Sequence, residues 1–160
     1  MLKRIIATAS LVFATIALTV VSVYGQTDKG SHEIDPQIKK EVLKVLDNYL
    51  ASFNAKDLHA HYATYHFPHY RLASGKMTIL EKPDYADSTK FFAKLIQEGW
   101  HHSVWEHRNI VQASDSKVHI DTKFIRYRAD GTVLGTFESL YIVTKEEGKW
   151  GIKMRSSYAN

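Results

Sequence analysis

The second half of the chain constrains the fold most. Runs from Trp100 to Ala113, Lys117 to Arg128, Thr132 to Lys145 and Lys149 to Tyr158 are β-rich, with brief breaks at Asp115-Ser116, Asp130-Gly131 and Glu147-Gly148. Asp-Gly between strand-like runs is a hairpin signal, and turns this short join only antiparallel neighbours. The runs therefore form a meander. A sheet of that size has to bury at least one face, so it needs a cover from elsewhere in the chain.

The cover lies upstream. Asp35-Pro36 supplies an N-cap followed by proline at the first helical position. Ile38, Val42, Val45, Leu46, Tyr49 and Phe53 then recur at helical spacing, while Lys39, Lys40, Glu41 and Lys44 take other faces. Asn54-Ala55-Lys56 ends this helix. Asp57 caps a second, short one, with Leu58, His61, Tyr62 and Tyr65 on one stripe and Pro68 as its limit. Tyr70 to Leu80 reads as a hairpin turning at Ser74-Gly75. Pro83-Asp84 opens a third helix, capped by Asp84, buried through Phe91, Phe92, Leu95 and Ile96, and stopped at Gly99. The expected fold class is α+β, an antiparallel sheet packed on three N-terminal helices.

The start of the chain has a different character. Lys3 and Arg4 precede an uncharged apolar run from Ile5 to Val23, and Val23-Tyr24-Gly25 puts small residues where a signal peptidase reads. The pattern predicts a signal peptide over 1–25, a polar linker over 26–34 and one domain over 35–160. The protein is then exported, to a periplasm or to the medium, with no membrane association after cleavage. The rival reading is an uncleaved anchor, because the 19 residues from Ile5 to Val23 just reach across a bilayer. Thr and Ser within the run, and Gly25 after it, favour cleavage.

Composition narrows the chemistry. The 160 residues include no cysteine, which excludes disulfides, thiolate metal sites, thiol nucleophiles and a lipid-modified cysteine. The core alone must hold the domain. Removing residues 1–25, with two basic residues and no acidic ones, lowers the formal charge from +4 to +2. That balance, without a basic stripe interleaved by aromatics, gives no nucleic-acid footprint.

Three local features go with this order of elements. They are Phe53-Asn54-Ala55-Lys56-Asp57-Leu58 at the end of the first helix, His66-Phe67-Pro68 after the second, and Gly148-Lys149-Trp150-Gly151-Ile152 in the terminal strand. Together they resemble the nuclear transport factor 2-like superfamily, in its SnoaL-like branch, over about residues 35–160. The resemblance implies a cone, a curved antiparallel sheet wrapped around the helices with a cavity between them. The superfamily includes ketosteroid isomerase, scytalone dehydratase and polyketide cyclases beside many members without known activity, so the fold leaves function open.

Strand alternation predicts which side chains face such a cavity. Val118, Ile120, Thr122 and Phe124 share the apolar face, and Arg126 follows on it by parity. In the last strand, parity places Trp150, Ile152 and Met154 inward, with Ser156 and Tyr158 continuing that side. The candidate binding residues are Tyr62, His66, His69, Trp100, His102 and Arg126. His66 and His69 flank the exit from the second helix, near the cavity of the resembling fold. A neutral histidine there acts as general base or ligand partner; the plainer reading is a loop hydrogen bond. By the pattern with Trp100 and Val104, His102 enters the cavity and His101 does not, and Glu106 follows on the same side. His102 and Glu106 form an acid–base pair or, more simply, a surface charge pair. His66 and His102 are the candidate bases.

No cofactor or metal is expected. His59/His61, His66/His69 and His102/His107 do not reproduce a helical metal-ligand spacing. The Asp base and Tyr–Asp oxyanion pair of ketosteroid isomerase transfer to no position here, since Asp121 is outward by parity. Both faces of the run from Thr132 to Lys145 are partly apolar, which predicts a covered outer face and a homodimer contact. Three functions fit these residues: a binding module for a small, mostly apolar molecule; an isomerase, dehydratase or cyclase with a cavity histidine as base and Arg126 polarising a substrate oxygen; and an interaction domain acting through the outer sheet face.

Overall fold

The computed structural model describes residues 34–85 and 88–159. The signal peptide expected over 1–25, and all but the last residue of the linker, lie outside the described residues. Helix α1 runs Pro36–Ala55, and its start is the expected one: Asp35 accepts hydrogen bonds from the Gln37 and Ile38 amides at 2.7 and 3.4 Å, with Pro36 in the first turn. It ends at Lys56, which turns left-handed at φ 58°. Asp57 then caps α2, Leu58–Tyr62, through the Ala60 amide. Helix α3 is Ser88–Gln97, closed by Gly99 at φ 91°.

The strands are β1 (Tyr65–Ala73), β2 (Lys76–Leu80), β3 (His102–Ala113), β4 (Lys117–Tyr127), β5 (Val133–Glu146) and β6 (Lys149–Ser157). They form one sheet in the order β2-β1-β6-β5-β4-β3. The meander of β3 to β6 is antiparallel as expected, but β1 joins β6 in parallel, so the sheet is mixed. Strand β1 also begins before the expected hairpin, at Tyr65, and contains Pro68. Proline cannot donate to a ladder; the β1–β6 pairing accordingly skips from Tyr65 to Tyr70.

The main core forms between α1 and the sheet: Val42, Leu46 and Tyr49 pack against Val118, Ile120, Tyr141, Val143 and Ile152. A second cluster gathers Leu58, Tyr62, Phe92 and Trp100 under the other two helices. Helix α3 buries less than its pattern suggests. Phe92 is buried, whereas Phe91 and Ile96 are 40% and 49% exposed. Asn54 ties the end of α1 to the start of β3. Its amide donates to the Ser103 carbonyl and accepts from the Ser103 amide, both at 2.8 Å, as a neighbouring strand would.

Candidate functional site

The inner face of the sheet is set by pairing. On β4 and β5, Val118 faces Val143, Ile120 faces Tyr141, Thr122 faces Ser139, Phe124 faces Phe137 and Arg126 faces Gly135. A Cβ at Gly135 would stand 2.8 Å from the Phe137 ring, so glycine is needed for that ring to lie beside Arg126. On β6 the ladder has a bulge: Ile142 pairs with Met154 but Val143 with Ile152, leaving Lys153 unmatched. An extra residue reverses parity beyond it. Ile152 therefore points inward, and so do Arg155 and Ser157, while Met154, Ser156 and Tyr158 lie on the other side. The expectation of Met154, Ser156 and Tyr158 on the inner face is corrected by that single residue.

A cavity of about 410 Å³ opens between this face and the helices. Phe53, Tyr62, Tyr65 and Phe91 supply aromatic wall, His61 and His69 sit among them, and Arg71, Arg126 and Arg155 line its sheet side. Beside it, Tyr49, Phe124, Tyr141, Arg126 and Arg155 are among the residues that line a smaller void of about 20 Å³, room for one water. Asp84, Lys94 and Glu98 also line the cavity.

Both cavity histidines are neutral. His61 and His69 are pushed down to about 4, chiefly because burial penalises the charged ring, with the Arg155 guanidinium adding to the effect. Their tautomers follow from their partners. A carbonyl only accepts, so His61 Nδ1 donates to the Tyr49 carbonyl at 3.2 Å and Nε2 accepts from the Tyr65 hydroxyl at 3.0 Å. His69 Nδ1 donates to the Ile152 carbonyl at 3.0 Å, which leaves its Nε2 as an acceptor. The His69 ring is stacked on Tyr65, centroids 4.0 Å apart.

The arginines differ in how they are satisfied. Arg155 donates to the Tyr49 hydroxyl at 2.6 Å and to Ser157 at 3.1 Å. Burial resists ionisation of Tyr49, yet Arg155 and the hydroxyls of Tyr141 and Tyr65 outweigh it and hold Tyr49 below the ordinary tyrosine value. Burial pushes Tyr65 and Tyr141 up. Arg126, only 8% exposed, makes no hydrogen bond or ion pair among the described residues, and its Nε, like that of Arg155, is buried without a partner. It lies over the rings of Phe137 and Phe124, 4.6 and 5.6 Å from their centroids. Such contacts return about 1–2 kcal/mol each, against several kcal/mol to desolvate the ion. Desolvation and then Arg155 lower its pKa, but a guanidinium does not deprotonate in a protein.

The sequence candidates divide. Tyr62, His69 and Arg126 line the cavity; His66, Trp100 and His102 do not. His66 points to the outer face, packs over Gly151, hydrogen-bonds Thr144 at 2.9 Å and stands 3.5 Å from Glu146. Trp100 is core, its indole donating to Ser103. His102 stacks on Tyr127, while Ser103 and Trp105 take the inner side, because Trp100 precedes β3 and does not share its alternation. Glu106 bonds Lys123 at 3.0 Å instead of His102. Asp121 is outward as expected, bonded to His107. Tyr49, His61, Arg71 and Arg155 are cavity or void residues that the strand and helix patterns did not single out. Tyr49 shares the apolar stripe of the first helix and His61 that of the second with Tyr62, which are the available signals.

The family model described as NTF2-like protein (DUF6841) matches residues 40–158, so this chain belongs to that NTF2-like family. Among solved structures, it is similar to a Nostoc punctiforme protein of unknown function with a cystatin-like fold (TM-score 0.64, 12% identity, 81% of this chain and 96% of that one). It is also similar to a ketosteroid isomerase-like protein from Erwinia carotovora atroseptica (TM-score 0.59, 16% identity, 78% and 97%). A third is an NTF2-like protein of unknown function from Shewanella oneidensis (TM-score 0.59, 15% identity, 76% and 99%). At these identities the likeness concerns the fold. No curated protein matches the chain in sequence.

Proposed function

We propose that this chain is an exported domain that binds a small organic molecule in the cavity between sheet and helices. The observation that carries the reading is the cavity itself. Its volume of about 410 Å³ falls within the span of small-molecule sites, about 300–1,000 Å³, and it has their usual make-up of apolar wall with a few convergent polar groups. Native mass spectrometry of the protein from a host that processes it should find a small molecule retained and released on denaturation. A clean apo mass, with no thermal stabilisation by a panel of small aromatic compounds, would overturn the reading. Export rests on the apolar run and the Val23-Tyr24-Gly25 site; the mature protein should begin at Gln26, and an intact Met1 on membrane-bound protein would sink that part.

A second reading, an isomerase, dehydratase or cyclase, is favoured by one detail. The Ile152 carbonyl fixes His69 as the tautomer whose Nε2 can take a proton. The ketosteroid isomerase-like protein noted above shares only the fold. If His69 is a base, His69→Gln abolishes turnover of any recovered ligand while its binding persists; binding with no turnover by the wild type decides for the first reading.

A further inference from the structure

We infer that the ligand of this cavity is an organic anion, a carboxylate in the simplest case, seated with its charge on Arg126 and its body against the aromatic wall. This rests on the small-molecule reading above and adds the ligand's chemistry. The first support is the state of Arg126. It is 8% exposed, its Nε lacks a partner as that of Arg155 does, but unlike Arg155 it makes no hydrogen bond at all among the described residues, and no carboxylate there reaches ion-pair distance. A buried ion is tolerated where something compensates it, and the Phe124 and Phe137 rings alone compensate it poorly.

The second support is convergence. Arg71 and Arg155 are register partners on β1 and β6 and line the same cavity. Each is a like charge to Arg126, which raises the cost of leaving that side of the cavity without an anion. The remaining charges do not cancel it. Glu98 attracts Arg126 across the cavity, but its half-exposed carboxylate is paired with Lys94 at 3.8 Å, and Asp84 has an interaction of its own. His61 and His69 are neutral and Tyr49 is already committed to Arg155. Arg155 has two hydroxyl acceptors and Arg126 has none among the described residues, which places the anion's acidic group at Arg126.

The third support is shape. Phe53, Tyr62 and Phe91 line the same space, and Phe91 is 40% exposed. A planar apolar body against these rings, with an acid at Arg126, satisfies both halves of the lining. A guanidinium fork meets a carboxylate with two parallel hydrogen bonds.

The test uses the full chain and two probes of one shape, naphthoate and naphthamide, in calorimetric titration and thermal shift against ionic-strength-matched chloride. Naphthoate should bind at least about tenfold more tightly than the amide. Arg126→Met should remove that preference, so that the two probes bind within about twofold of each other. Equal affinity of the wild type for both probes overturns the anion inference and leaves the small-molecule reading standing. Binding of neither probe up to its solubility overturns both. Unchanged naphthoate binding in a folded Arg126→Met variant overturns the assignment to Arg126. Should that variant not fold, the acid-to-amide ratio of the wild type decides alone.

Discussion

His61 and His69 link the stability of the domain to pH. Both are held neutral in the fold, pushed down to about 4 by burial first, while in the unfolded chain each titrates near its ordinary value of about 6.5. The unfolded state therefore binds protons first on acidification. Their stabilisation is fully present above about pH 6.5 and is lost as pH falls toward about 4. Between pH 6.5 and 5.5, before most carboxylates titrate, each histidine should remove about 1 kcal/mol. Urea unfolding at those two values should show a fall of about 2 kcal/mol, and His69→Gln about half of it. A pH-independent midpoint across that interval would show that the rings are not buried neutral. At this scale the sequence was partly legible. Arg126 was reachable by alternation because β4 is regular between Val118 and Arg126. Arg155 was not, because the extra residue Lys153 leaves no mark in composition and reverses every side chain after it.

At the scale of elements, strand β6 is shaped by what lies over it. The His66 ring covers Gly151 on the outer face, and a Cβ at Gly151 would meet its Cδ2 and Nε2 at 2.5 and 2.7 Å. The ring cannot move freely, because Thr144 and Glu146 hold it. Gly151→Ala should therefore cost about 1–3 kcal/mol. With His66→Ala in the same chain the penalty should largely vanish, so the two changes should fail to add in a double-mutant cycle by chemical denaturation. Additive costs would mean that the glycine is required by the backbone instead. The Asn54 clamp belongs to this scale too. Asn54→Ala leaves the Ser103 amide and carbonyl without partners and should cost about 1–3 kcal/mol by thermal unfolding; a change within about 0.5 kcal/mol would show that water replaces the clamp. The caps of α1 and α2 were legible because each is a local event between neighbours in sequence. The parallel β1–β6 pairing was not, because it joins residues more than eighty positions apart, such as Tyr65 and Ile152, and no local pattern encodes a partner that distant.

For the whole molecule, strands on short turns need a cover, and the upstream helices provide it. The helices cover only one side and leave the outer face of the same sheet. There Val104 lies beside Ile125 and Ile142 beside Met154, with Leu140 following on that face. Val104 and Leu140 are 45% and 39% exposed. Charged and polar side chains, His119, Asp121 and Lys123 among them, run through the same face. An apolar stripe bordered by polar groups suits a self-complementary two-fold contact, in which each copy covers the other's stripe. We expect the domain to be a dimer through this face. Sedimentation across a dilution series should show a concentration-dependent dimer, and Leu140→Glu should shift it to monomer without altering the unfolding midpoint of the monomeric form by more than about 0.5 kcal/mol, since Leu140 lies outside the core. A monomer at every concentration in the wild type rejects the contact. A dimer that survives Leu140→Glu places the interface elsewhere, and would leave the outer stripe as ordinary exposed surface.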